Sequence, residues 1–159
     1  MESIQQKTVV EGWLKDLSAA LNIDLSLDEE GVCTLQVGPD NVTAIEVSAD
    51  VPIIQMYTPL LSIQKDDPSK TFSLAMRSLE INAFQSVTRG GAVALAPGGS
   101  LLIYCLSIPI EGVDSEIFSR MLGDFYDTSE QIKALLNNQE TIDPSEKEFQ
   151  RKIGPFIKV

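Results

Sequence analysis

Carboxylates, two thiols and one glycine-rich stretch are the parts of this sequence whose types and spacing suggest chemistry. Asp66 with Asp67, and Asp124 with Asp127, are close enough in sequence for paired acid–base work, in which one carboxyl stays protonated while the other ionises. The first pair directly precedes a predicted helix and the second falls on an exposed helical face, so capping and solvation account for both. The chain contains no histidine, which removes the commonest general base, the serine–histidine triads and the histidine-ligated metal sites. Cys33 and Cys105 are too few and too far apart to form a metal cluster unaided. Both fall in predicted strands and are expected as reduced core residues, a disulfide requiring their strands to be near neighbours.

The segment from Gly90 to Gly99 contains backbone amides of the kind that cradle phosphate. A phosphate loop, however, needs glycine, four residues, then Gly-Lys-Ser/Thr between a strand and a helix. Here the glycines flank a strand, Ser100 follows with no lysine, and no helix starts after them. Asp28-Glu29-Glu30 lacks the alternating ligands, central glycine and twelfth-position glutamate of a calcium loop and reads as a solvated charge run. The residues therefore predict no catalytic site, no metal and no cofactor, and point to a binding protein rather than an enzyme.

Composition narrows the partners. Twelve basic against 23 acidic residues give a net charge of -11, which opposes binding to nucleic acid and to anionic lipid. The imbalance is uneven, since Ser145 to Val159 carries four basic and two acidic residues. No run approaches the ~20 apolar residues of a membrane span, and the start MESIQQK lacks the features of a secretory signal, so a cytoplasmic protein without membrane insertion is expected. At 159 residues and 43% hydrophobic, the chain suits one core.

The elements follow from periodicity. Val10, Trp13, Leu14, Leu17 and Leu21 share one face of a helix from about Ser3 to Leu21. Cys33, Leu35 and Val37 alternate with polar residues, Gly38-Pro39-Asp40-Asn41 turns the chain, and Val42 to Ser48 returns as a second strand. Ile53 to Ile63 is a third strand, which Pro59 should bend or confine to an edge. Asp67 caps the next helix with Pro68 in its first turn, and Phe72, Ala75, Met76, Leu79 and Ala83 form its apolar stripe. Gly90-Gly91 precede a strand at Ala92 to Leu95, Pro97-Gly98-Gly99 turn it, and Leu101 to Ile108 is its partner. Asp114 caps a last helix lined by Phe118, Met121, Leu122, Phe125, Ile132 and Leu136. The expected fold is α+β: a single domain of order αβββαββα, with an antiparallel sheet and flanking helices, over residues 1–138. A polar tail follows over 139–159, with Phe149, Ile153, Phe156 and Ile157 as a weak apolar set.

This arrangement resembles the class I type III secretion chaperones, the Tir-chaperone family. The resemblance rests on Leu79-Glu80 with Asn82 and Phe84 at a helix end, Gly90-Gly91-Ala92 with Ala94 and Leu95 in the strand after it, and Pro97-Gly98-Gly99 with Leu101 in the hairpin. Pro109, Val113 and Phe125 continue it. The resemblance implies a cytoplasmic homodimer that binds the N-terminal segment of a secreted effector protein in extended form and keeps it stable and secretion-competent. It assigns partner contact to the first helix and early strands, with Leu14, Leu17, Leu35, Ile45, Val47, Ile54 and Met56 as candidates. Dimer contact falls to the second helix and later strands, with Phe72, Met76, Leu79, Leu101 and Ile103. The competing expectation is a non-secretory regulatory or scaffolding domain of the same fold that binds folded partners.

Overall fold

Local signals in the chain set most of the element boundaries. In the computed structural model, which describes residues 3–36 and 41–137, the order is α1 (Ser3–Leu21), β1 (Val32–Gln36), β2 (Val42–Val47), β3 (Ile53–Ser62), α2 (Pro68–Asn82), α3 (Gln85–Thr88), β4 (Ala92–Leu95), β5 (Leu101–Pro109) and α4 (Ser115–Asn137). The Asp67 side chain accepts from the Lys70 amide at 2.9 Å and Asp114 accepts from Ile117 at 2.8 Å, each satisfying a first-turn amide with no helical acceptor. The β4–β5 hairpin closes through Ala96 N–H donating to Leu101 O at 2.8 Å, with Gly98 and Gly99 at positive φ. The short helix α3 is an addition to the expected order. It fills the space between Asn82 and the left-handed Arg89 and Gly90. Gly38, Pro39 and Asp40 of the predicted first turn, and the tail from 138 onward, lie outside the described residues.

The five strands form one antiparallel sheet in the order β1-β2-β3-β5-β4. The strand β3 is therefore central, and Pro59 is accommodated by the bent alternative, a register irregularity between Pro59 and Leu61. A bulge relieves proline of the ladder bond that it cannot donate.

Burial alternates along most of the strands because a pleated strand sends successive side chains to opposite faces, Leu106 on β5 and Leu95 on β4 being the departures. One face carries Cys33, Leu35, Ile45, Val47, Ile54, Met56, Leu102, Tyr104 and Ile108, all buried. α1 and α4 supply its cover: Val10, Trp13, Leu14 and Leu17 from the first, Phe118, Leu122, Phe125, Ile132 and Leu136 from the second. Trp13 stacks on Phe118 at 5.5 Å and joins the helices, while Tyr104 stacks on Phe125 at 4.8 Å and ties α4 to the sheet. Each fully buried side chain of this size contributes roughly 1.5–3 kcal/mol.

The second helix packs through a row other than its apolar stripe. Its predicted stripe points to solvent, with Phe72 67%, Met76 44% and Leu79 63% exposed. Ile81 and Ser78 are buried instead, with Leu74 half-buried beside them. The Ser78 hydroxyl satisfies itself by donating to Leu74 O at 2.8 Å, and Arg77 Nε donates to Leu135 O at 2.8 Å, which fixes this side of α2 against the end of α4. Leu21, the last residue of the predicted α1 stripe, is also exposed.

The thiols separate onto the two faces. Cys33 is in the core, whereas Cys105 is half-buried on the opposite face, paired with Tyr57, which corrects its expected core position. Three strand spacings, about 14 Å, divide β1 from β5, so no disulfide joins them.

Two outcomes follow. An alanine Cβ at Gly91 would lie 2.5 Å from the Tyr104 ring and 2.6 Å from Cys105 O, so Gly91→Ala must push Tyr104 off Phe125 and should cost about 1–3 kcal/mol. Gly12→Ala, on an exposed helical turn with nothing within 4 Å, should instead stabilise by up to ~1 kcal/mol; urea denaturation of both variants checks the contrast. Burial pushes the Tyr104 phenol up to about 12, the neighbouring Cys105 adding to the rise and Arg89 opposing it. Because the folded state disfavours its ionisation, the stability contributed is intact below ~10 and lost as pH rises from there towards about 12. The Tyr104→Phe variant should show a flatter loss of thermal stability across that window.

Candidate partner-binding surfaces

Three of the carboxylates that sequence alone singled out have structural partners. Asp67 caps α2, Asp28 Oδ1 accepts from the Val32 amide at 2.8 Å, and Asp124 pairs with Arg89 at 3.3 Å on the surface. Burial pushes both thiols up, opposed in Cys33 by the Ser26 backbone and in Cys105 by Ala92, so each holds its proton rather than acting as a nucleophile. Cys105 Sγ donates to Ala92 O at 3.3 Å. Among the described residues, no three of His, Cys, Asp and Glu are grouped so as to hold a metal. The Asp28-Glu29-Glu30 run is exposed, and Lys7 Nζ donates to Glu29 O at 3.0 Å across it.

Exposure divides the two sets of contact candidates sharply. Leu14, Leu17, Leu35, Ile45, Val47, Ile54 and Met56 all belong to the core, none more than 7% exposed. Their side chains face the layer between helices and sheet, and none reaches a partner unless that layer opens. The elements proposed for contact remain available, but through their other faces. Phe72, Met76 and Leu79 are the reverse case, an apolar row on α2 with no cover among the described residues. Leu101 and Ile103 are half-buried on β5, beside Ser62 and between Pro59 and Ala94 respectively.

The outer face of the sheet is what the sequence reading missed. Val32 and Thr34 on β1, Ala44 and Glu46 on β2, Ile53, Gln55 and Tyr57 on β3, and Ile103, Cys105 and Ser107 on β5 occupy the rows opposite the core, and none of them is buried. The two long helices α1 and α4 cover the other side, and α2 stands at the β4 end. Strand parity was the one available signal, and it is weak here. β3 reads Ile53-Ile54 at its start and Leu60-Leu61 near its end, apolar at both parities.

The sheet edges are treated differently. At β4 the Asn82 amide imitates a neighbouring strand: it donates to Val93 O at 2.9 Å and accepts from Val93 N at 2.7 Å. This closes the edge at its centre. At β1 the equivalent closure covers one residue only, where Asp28 N donates to Val32 O at 2.9 Å and its carboxylate takes the Val32 amide. The antiparallel alternation fixed by Val47 N donating to Gly31 O turns the main-chain groups of Thr34 and Gln36 outward. Among the described residues nothing pairs with them. Leu95, 55% exposed at the end of β4, adds exposed apolar surface at a residue not among the expected contacts.

The surfaces thus comprise an apolar helix row, a half-exposed sheet face and an open strand edge. A search of curated proteins found no match. Solved structures share the fold: a chain of the HopA1–SchA chaperone–effector complex has 18% identity and a TM-score of 0.62, covering 82% of this chain and 97% of that one. A chain of the ExsC–ExsE complex has 16% identity and a TM-score of 0.71 over 84% and 98%. The ExoT–SpcS complex from Pseudomonas aeruginosa contains another, with 18% identity and a TM-score of 0.53 over 77% and 96%. The model of the Tir chaperone protein (CesT) family matches residues 12–133, which run from α1 through nearly all of α4. The chain belongs to the Tir chaperone protein (CesT) family.

Proposed function

We propose that this protein is a cytoplasmic, non-catalytic type III secretion chaperone that acts as a homodimer and holds the N-terminal segment of an effector protein in extended form. The observation that carries the reading is the half-exposed outer face of the sheet bordered by the open β1 edge. An extended segment can add to Thr34 and Gln36 by main-chain hydrogen bonds and lay alternate side chains on the outer rows. The solved relatives include chaperone–effector complexes, which supports a protein segment as the occupant. The net charge of -11 disfavours nucleic acid, and no described helix is long and apolar enough to cross a membrane.

In this reading partner contact uses the elements α1, β1, β2 and β3, but through their outward residues rather than through Leu14, Leu17, Leu35, Ile45, Val47, Ile54 and Met56. Those seven keep the platform rigid. The dimer forms through Phe72, Met76 and Leu79 on α2, joined by Leu101 and Ile103 and extended by Leu95. A two-fold axis brings the same row from each copy together, as an isologous interface requires. The chaperone domain ends near residue 138, just after α4. No cofactor or nucleotide is needed, since binding is by packing and strand addition.

Light scattering on the isolated protein should give about twice the chain mass of 17.4 kDa. Met76→Asp or Leu79→Asp should weaken the dimer by at least ~10-fold while leaving circular dichroism unchanged, because the charge is tolerated in the monomer and desolvated only at the interface. A monomeric parent, or variants that dimerise normally, would contradict this interface. For the partner site, the effector is first recovered by pull-down and mass spectrometry. Thr34→Pro removes one outward amide at an edge that tolerates proline and should weaken binding by roughly fivefold, the value of one hydrogen bond. Unchanged affinity would place strand addition elsewhere.

A further inference from the structure

The outer face of the sheet carries one charge. Its described positions are apolar or neutral on every strand, except for Glu46 in the middle of β2. Glu46 lies between Val32 on β1 and Gln55 on β3 and is half-buried. The Tyr57 phenol stands diagonally across from it and donates to Gln55 Oε1. Burial pushes the Tyr57 phenol up, and the Glu46 carboxylate adds to the rise through its charge and through a hydrogen bond with the phenol, so the two side chains are direct neighbours. The ion pairs among the described residues are Arg89–Asp124 and Lys133–Glu130, and neither involves Glu46.

A carboxylate at the rim of an interface stays hydrated and costs little. One at the centre of a covered face loses its water and must find a compensating partner. An apolar segment laid across these rows would strip Glu46 of solvent and leave its charge with only the neutral Tyr57 phenol as a hydrogen-bond partner. A segment with an arginine at that point would meet the carboxylate with its guanidinium and the Tyr57 ring with its planar face, two contacts that lysine matches less well.

Resting on the outer-face reading above, we propose that Glu46 selects the partner: the face takes an extended apolar segment that places one arginine over the β2–β3 junction, between Glu46 and Tyr57. Apolar residues on either side supply contact area, and the central pair sets register and excludes segments with an acid at that position.

The test uses the full chain and three fluorescein-labelled seven-residue peptides of alternating valine and threonine, with arginine, glutamine or glutamate at the centre. Anisotropy at low ionic strength keeps the charge contribution visible. Parent protein should bind the arginine peptide about tenfold or more tightly than the glutamine peptide, and the glutamate peptide least, within the range of measured interfacial charge couplings. Glu46→Gln should erase the preference and Glu46→Lys should invert it. Glu29→Gln removes the same formal charge from an exposed loop and should leave the preference in place. An arginine preference that survives Glu46→Gln would reflect general attraction to an acidic body and overturn the proposal. Equal binding of all three peptides by the parent would keep the face as a docking surface and remove the selection. Failure of all three to bind at millimolar concentration would count against the selection and the docking face together.

Discussion

Everything in this fold depends on α1 and α4 packing against the same face of the sheet. Trp13 stacked on Phe118 holds the helices to each other, and Tyr104 stacked on Phe125 holds α4 to β5. Together they close a core in which Leu14, Ile45, Ile54, Met56 and Phe118 are fully buried. Two long helices cannot cover both sides of a five-stranded sheet. The second side therefore keeps its alternate side chains, many of them apolar, half in water. An uncovered face of this kind is a liability in a monomer and a resource in a binding protein. The family to which the chain belongs gives the second interpretation its context.

The sheet edges show the same economy. Asn82 uses both ends of its amide on Val93, which ends the sheet at β4 with a side chain instead of a further strand. It also anchors the end of α2 beside that edge, so the helix is held by Asn82, Ile81 and Arg77 along one side and left free along the other. The exposed row of Phe72, Met76 and Leu79 is thus a consequence of how α2 is tethered. At β1 only Val32 is closed in this way, by Asp28. The two ends of the sheet consequently differ: an exposed apolar helical row stands beside one, and open main chain at Thr34 and Gln36 lines the other.

Legibility in the sequence followed the range of the interaction that decides each feature. Caps at Asp67 and Asp114, the α1 stripe from Val10 to Leu17 and the Gly98-Gly99 turn depend on neighbours a few residues away, and the sequence reads them correctly. The succession of strands along the chain is legible for the same reason, whereas the pairing of β3 with β5 is set at long range. Facing is different. α2 is apolar along Leu74 and Ile81 and again along Phe72, Met76 and Leu79, and long-range contacts, Asn82 with Val93 and Arg77 with Leu135, turn the first row inward. β3 is apolar at both parities near its ends, so its alternation alone cannot distinguish core from surface. Ile54 and Met56 of β3, and Ile45 of β2 beside them, prove to be core residues, while Glu46 and Tyr57 stand on the reverse side of the sheet.

Asp67 and Asp114 cap helices, Asp124 and Glu130 pair with cations on the surface, Glu46 stands half-buried on the outer face, and burial pushes both thiols up. What the surface offers a partner is shape, apolar area and free main chain. Under the proposed function an extended segment docks on the open β1 edge and the outer rows while the core stays closed. Amide hydrogen exchange of the protein with and without its captured effector segment tests this most directly. The account predicts new protection at the Thr34 and Gln36 amides, with the amides flanking the already bonded Val93 unchanged. Protection confined to Ser145–Val159, or faster exchange at Ile54 and Met56 signalling an opened core, would contradict it.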